Sequence, residues 1–240
     1  MKSKIKNSKS ISIMFPLYKD KRTVKSMILK SLKILKKTKK KFEIVIVDDG
    51  CPENSGKIAQ KLSKKNPKIR VYFHKKNLGY GAAVKTGLKN CRHDCIFATD
   101  GDDEYDVGDL PRMLKAFYKS DLVITYRYKK KYKTIRIIIS WVYNIILRLL
   151  FKTNFRDIST GSRLISKKLV KKIKLTSNSP FIGAELAIKS KYAGFDVSEI
   201  GIHTYPRTFE TGSSVSMKNI ILTIRDMIFL FIKLNLKKIF

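Results

Sequence analysis

The residues with the clearest chemical potential are Asp100-Gly101-Asp102-Asp103-Glu104, four carboxylates in five positions. They follow directly on an apolar run, Ile96-Phe97-Ala98, within the stretch Cys95–Asp109. Such a junction reads as a buried strand emerging at the edge of a sheet. Carboxylates at i and i+2, split by a glycine that lets the backbone approach a ligand, can share one hard divalent cation. Magnesium or manganese bound this way keeps positions open for substrate phosphates. An isolated DGDD can equally be a solvated acidic turn. Here Asp106 and Asp109 follow close behind in a chain poor in acids, and we read the stretch as a metal–diphosphate site.

The surrounding pattern supplies elements to hold such a site. Ser10–Leu17, Phe42–Val47, Ile69–Phe73, Leu122–Thr125 and Asp196–His203 read as strands, besides the one that ends at Ala98. Between them, Thr23–Lys37, Ser55–Lys64, Ala82–Asn90, Leu110–Phe117 and Phe181–Tyr192 read as helices. In Thr23–Lys37 the apolar positions Val24, Met27, Ile28, Leu32 and Leu35 have helical spacing, with lysines on the outer face. Strands alternating with helices predict an α/β fold with a mostly parallel central sheet and helices on both faces. Ligands of such sheets bind at the carboxyl ends of the strands. Pro16 and Tyr18, Asp48 and Asp49, Asp100 and Asp102, and Arg127 all fall at strand ends, so they are expected to converge on one crevice. The glycine segment Asn77–Gly81 has neither a dinucleotide-binding nor a P-loop spacing and fits an ordinary strand-to-helix turn as well as a ligand loop.

Length and composition bound the alternatives. A chain of 240 residues with 43% apolar and 10% aromatic content can bury one full core. Its formal net charge of +33 predicts attraction to something anionic, nucleic acid or an acidic membrane surface. Three cysteines, Cys51, Cys91 and Cys95, show no disulfide framework, which fits a reducing compartment. Cys91 and Cys95 flank His93, but two thiols and one imidazole do not complete a zinc site. The basic N-terminus lacks the apolar core of a signal peptide, so no export is expected.

Two further segments suggest a lipid surface. In Thr134–Phe151 the polar residues Arg136, Ser140, Asn144 and Arg148 recur every fourth position, leaving one narrow polar stripe on an otherwise apolar helix. Met217–Leu236 is also broadly apolar but is interrupted by Arg225, Asp226 and Lys233. Neither offers the uninterrupted run of about 18–20 apolar residues that a membrane span needs. A core helix with its stripe to solvent is one reading of the first segment. Its flanking cations favour an amphipathic helix in the bilayer interface. The expected organisation is a catalytic domain over 1–214, with this helix near 134–151, followed by a membrane-associating helix over 215–240.

Eight segments in order resemble the family-2 inverting glycosyltransferases, in particular the group of dolichol-phosphate mannosyltransferases and polyprenyl-phosphate glycosyltransferases. They are FPLYKD at 15–20, EIVIVDDGCPENS at 43–55, NLGYGAAVKTGL at 77–88, ATDGDDEYDVGDLPRML at 98–114, TYRY at 125–128, DISTGSRLI at 157–165, FIGAELAIKSKYAGFDVSEIGI at 181–202, and the loop 207–214. The resemblance implies the GT-A fold of nucleotide-diphospho-sugar transferases. It implies donor contacts from Pro16, Tyr18, Asp20, Val47, Asp49, Asp100, Gly101, Asp102 and Arg207, and a Mg2+ or Mn2+ ion on Asp100 and Asp102 with Glu104 able to add a ligand. It also implies an acceptor phosphate met by Arg127, Arg136 and Ser140. Asp20 stands where the dolichol-phosphate enzymes usually carry Glu. The lysine expected a few residues beyond Arg207 is missing, the segment reading ETGSSVS.

The implied reaction moves a hexose from a nucleotide diphosphate sugar, of GDP-mannose or UDP-glucose type, to a polyprenyl phosphate, with inversion. Asp100, Asp102 and Arg127 carry the chemistry in this reading, and Glu185 is expected to be structural and not a base. The setting is the cytoplasmic face of a membrane with anionic lipids, the chain attached peripherally, with room for a membrane-protein partner. A glycan or glycolipid acceptor is the alternative within the family. A nucleic-acid-binding protein would explain the charge but not the acids at one strand end, and no nucleic-acid partner is expected. A nucleotidyltransferase would need a glycine-rich basic loop near the first strand, which FPLYKD does not supply.

Overall fold

A computed structural model describes residues 10–128, 134–205 and 216–236, without the side chain of Arg136. The strands are β1 (Ser10–Leu17), β2 (Lys41–Asp48), β3 (Ile69–Phe73), β4 (Cys95–Ala98), β5 (Leu122–Arg127), β6 (Arg163–Ser166) and β7 (Val197–Ile202). The helices are α1 (Val24–Lys37), α2 (Ser55–Ser63), α3 (Tyr80–Asn90), α4 (Leu110–Phe117), α5 (Thr134–Phe151), α6 (Lys167–Lys172), α7 (Ile182–Tyr192) and α8 (Met217–Leu236). Among the described residues the strands form one sheet in the order β3-β2-β1-β4-β6-β5-β7.

Alternation along each strand divides the core between the two sheet faces. Ile11, Ile13, Phe15 and Leu17 of β1 point to one side, where Val24, Met27 and Ile28 of α1, Ala59 of α2 and Met113 and Phe117 of α4 cover them. Met14, Val45, Ile96 and Ile124 point to the other, under Leu88 of α3, Phe151 of α5, Leu186 of α7 and Leu230 of α8. Fully burying each such side chain contributes about 1.5–3 kcal/mol.

Parallel pairing aligns the strand ends that matter. Leu17 lies opposite Asp48, and Met14 opposite Ala98, so β1, β2 and β4 deliver their carboxyl ends to one rim. The exception to the parallel pattern is β6, antiparallel to both β4 and β5. It sets Arg163 opposite Ala98 and also opposite Ile124, bringing the loop before β6 to the same rim. The mostly parallel sheet expected from sequence did not include this antiparallel strand's direction, and sequence reading missed α6. KKLVKK has too few apolar positions for a visible period. What starts α6 is the Ser166 hydroxyl, which accepts from Leu169 N at 3.1 Å as an N-cap.

Candidate active site

The first wall of the crevice comes from β1 and β2. Tyr18, just past the end of β1, is exposed, whereas Val47 is fully buried between β1 and β3 and offers a ligand no accessible surface. Asp20 is buried and turns the chain into α1. Its Oδ2 accepts from Tyr18 N at 2.9 Å, and its carbonyl accepts from Val24 N at 3.0 Å. Thr23 then donates to the carbonyl of Gly101 at 2.6 Å, tying the start of α1 to the acidic stretch.

The two acids ending β2 have separate duties. Asp48 accepts from Cys51 N at 2.7 Å and Gly56 N at 2.6 Å, holding the turn into α2. Asp49 is buried and accepts from Leu78 N and Gly79 N, each at 2.9 Å, and from His74 Nδ1 at 2.6 Å. Its carboxylate is thus engaged in holding the 77–81 loop, where the resemblance implied contact with the nucleotide. Gly79, at φ +98°, lets that loop turn directly into α3.

That turn brings Tyr80, the first residue of α3, to the acidic stretch. Its hydroxyl donates to Asp100 Oδ1 at 2.8 Å. Burial, and then the neighbouring Asp100 carboxylate, push the Tyr80 pKa well up, so the phenol stays a donor. On the other side Gly161 packs against Asp100, where any Cβ would overlap the carboxylate. Asp102 is buried and accepts from Glu104 N at 3.2 Å across a tight turn in which Asp103 adopts φ +56°. Among the described residues no three acidic, histidine or cysteine side chains form a ready-made metal cage. Two carboxylates suit Mg2+ or Mn2+, which bind through one or two of them and complete their shell with water and substrate phosphates. The donor set therefore fits a divalent cation shared with a diphosphate.

The opposite wall is a polar network. Arg127, at the end of β5, donates through Nε to Asp157 Oδ2 at 2.7 Å and through Nη2 to Asp157 Oδ1 at 3.0 Å. Nη2 also reaches Ser159 Oγ at 2.7 Å. Both charged side chains are only 5% exposed. Asn144 of α5 accepts from Ile158 N at 2.9 Å, and Ser140 lies 3.5 Å from the Ser159 hydroxyl. The middle of the polar stripe of α5, Ser140 and Asn144, thus faces inward, opposite to the solvent-facing core-helix reading, while Arg148 is exposed. Ile135, Ile138, Trp141, Val142, Ile146 and Leu149 are exposed instead. On α8 the arrangement repeats. Asp226 accepts from Ser179 Oγ at 2.8 Å and Met227 and Leu230 are buried, while Ile221, Phe229 and Ile232 stand exposed. No helix among the described residues is long and apolar enough to cross a membrane. The Arg136 side chain and all of Arg207 lie outside the described residues.

Glu185 is fully buried and accepts from Thr176 N at 2.9 Å, Ser177 N at 2.9 Å and Thr176 Oγ1 at 2.7 Å, and it is paired with Lys189. Burial pushes its pKa up, but these bonds outweigh it and hold the group below its ordinary value. It is structural, as expected. Sequence reading missed Tyr80, Asp157, Ser159 and Gly161 as site residues. Asp157 carried a signal, as an acid without assigned duty in a chain with only 19 of them.

Residues 12–174 match the sequence profile of glycosyl transferase family 2. The chain belongs to this family. A relative by sequence, glycosyltransferase AglD of Haloferax volcanii, is 23% identical over 82% of this chain and 33% of its own length. The dodecaprenyl-phosphate galacturonate synthase of Rhizobium johnstonii is 22% identical over 70% of this chain and 51% of its own. The chain therefore spans between a third and a half of these relatives. An uncharacterized protein of Methanocaldococcus jannaschii is 32% identical over 68% of this chain and 77% of its own length. The GT-A fold is shared with glucosyl-3-phosphoglycerate synthase of Mycobacterium tuberculosis in complex with UDP. The TM-score is 0.68 at 12% identity, covering 94% of this chain and 79% of that one. The same synthase has been crystallised with Mn2+, UDP and phosphoglyceric acid, with a TM-score of 0.66 to this chain. Family membership identifies residues 12–174 as a glycosyl transferase family 2 domain.

Proposed function

We propose that the chain transfers a hexose from a nucleoside diphosphate sugar to a polyprenyl phosphate, with inversion, at the surface of a membrane. The observation that carries the lipid acceptor is the inside-out α5. Its Ser140 and Asn144 join the Arg127–Asp157–Ser159 network, while its apolar residues, like several of α8, are exposed. Such faces suit the headgroup boundary of a bilayer, and the charge of +33 adds attraction to anionic lipid. The reading takes the attachment to be peripheral and on the cytoplasmic side.

The donor is assigned to the crevice between Tyr18, Pro16, the Asp49-held loop and Gly101. Asp100 and Asp102 would hold Mg2+ or Mn2+, which when bound neutralises charge on the leaving diphosphate. Arg207 is assigned to the same diphosphate, and Arg136 to the acceptor phosphate, on the resemblance alone. Ser140 and Ser159 offer hydroxyls on the acceptor side. An acceptor phosphate is already anionic near neutral pH, so its attack needs positioning and no strong base. The saturated Glu185 fits that, since its lone pairs are committed. A thermal-shift panel of sugar nucleotides with manganese tests the donor. A ligand at a hundred times its Kd adds about 2.7 kcal/mol of stability. A shift for one sugar nucleotide, absent in Asp102→Asn, is expected; no shift with any would sink the reading.

A further inference from the structure

We infer that Tyr80 is a positioning residue for Asp100, and that the His74–Asp49 pair is what holds Tyr80 in place. The inference rests on the proposed metal–diphosphate reading of Asp100 and Asp102. Tyr80 is fixed from both sides along the chain. Before it, Leu78 N and Gly79 N are bound by Asp49. After it, Gly81 N donates to the Asn178 carbonyl at 2.8 Å, and a Cβ at Gly81 would press into the backbone of Ser177 and Asn178. Asp49 is itself braced by His74, whose Nε2 lies 2.9 Å from Thr86 Oγ1 on the same helix as Tyr80. The end of β3, the end of β2 and the start of α3 are thereby locked as one unit. Its outward product is a phenol hydroxyl 2.8 Å from Asp100 Oδ1. With Gly161 against the other side of the carboxylate, the hydroxyl selects one orientation of Asp100 before any ligand arrives. Groups that hydrogen-bond a ligating carboxylate typically contribute 10–100-fold to metal affinity.

The test is a manganese titration followed by electron paramagnetic resonance, with UDP and in parallel with GDP, on wild type, Tyr80→Phe, Thr86→Val, Asp100→Asn, Asp102→Asn and the variant combining Tyr80→Phe with Asp100→Asn. Tyr80→Phe keeps the ring and removes only the hydroxyl. Manganese binding about tenfold weaker is expected, at an unchanged melting temperature. Tyr80→Phe should add nothing further in the Asp100→Asn background, because its effect passes through that carboxylate. Thr86→Val, which loosens His74, should weaken binding in the same direction and less. Affinity within twofold of wild type for Tyr80→Phe, or an equal loss in both backgrounds, overturns the role of Tyr80. Wild-type binding that is indifferent to Asp102→Asn overturns the metal reading, and this inference with it.

Discussion

At the scale of single residues, the site is legible where one side chain does its work at its own strand end, and illegible where it works through a distant partner. Asp100 and Asp102 stand out because an apolar run stops at them. Nothing local marks Tyr80, Gly161 or Asp157, since their partners lie 20 to 61 positions away in the sequence. Asp49 was picked out for a nucleotide contact, and folding adds a second duty, its oxygens accepting from the Leu78 and Gly79 amides. Gly161 makes a clean test of this crowding. In Gly161→Ala the new methyl must displace the Asp100 carboxylate, and misplacement on the scale of 1 Å costs about a hundredfold in rate. Transfer should fall by that order while the melting temperature barely moves, because φ at 161 is not in the left-handed region. Activity within a few-fold of wild type would show that Asp100 needs no fixed place. Asp157 is the opposite case. Removing one partner of a buried ion pair costs about 3–5 kcal/mol, so Asp157→Asn should lower stability by that order in denaturant titrations. A loss below about 1 kcal/mol, the range of exposed pairs, would mean Arg127 is satisfied by other groups.

At the scale of elements, periodicity located β1, β3, α4, α5 and α8 with the bounds that the structure has, because each is a long or strongly patterned run. It could not say which side of α5 faces the protein. A narrow polar stripe on an apolar helix has two solutions, stripe to water or stripe to a polar site, and only Asp157, Ser159 and the Ile158 amide decide for the second. The same holds for α8, whose Asp226 looks like an interruption in sequence and is a docking contact to Ser179. Because α8 also buries Met227 and Leu230, deleting it would open the core. Surface charge substitutions probe the outward faces better. Leu149→Glu is placed where the side chain is 74% exposed, and Phe229→Glu where it is 57% exposed. Together they should release the protein from anionic vesicles in flotation while leaving its melting temperature within a few degrees. Salt alone should weaken binding only in part, since screening removes the electrostatic share and leaves the apolar one. Unchanged flotation of the double variant would remove α5 and α8 as the membrane face.

At the scale of the whole molecule, two buried glutamates clamp regions on opposite sides of the strand order, and both respond to acid. Burial raises the pKa of Glu43, but bonds from Arg92 N, Ser12 and Arg70 outweigh it and hold the pKa below 4.5; Glu185 is likewise held below 4.5. A depressed folded-state pKa means that the stabilisation is present above the unfolded value, near 4.5, and is lost as pH falls through the folded value. The contribution of these two groups should therefore be constant above about pH 5 and be lost as pH falls below 4.5, and Glu185→Gln should reduce the acid-induced loss of stability. An acid limb identical in Glu185→Gln would show that the group does not titrate differently in the folded state. The central claim is joint, that carboxylates at the end of β4 and an apolar outer face serve one reaction between a water-soluble donor and a lipid phosphate. Label transfer tests it most directly. Sugar-labelled nucleotide diphosphate donors, with manganese and polyprenyl phosphate in anionic vesicles, are incubated with wild type and Asp102→Asn, and the lipids are extracted. The account predicts label in the lipid phase for wild type and a loss of about a hundredfold or more in Asp102→Asn. Label that stays in water whatever the donor, or that enters lipid equally well with Asp102→Asn, would contradict it.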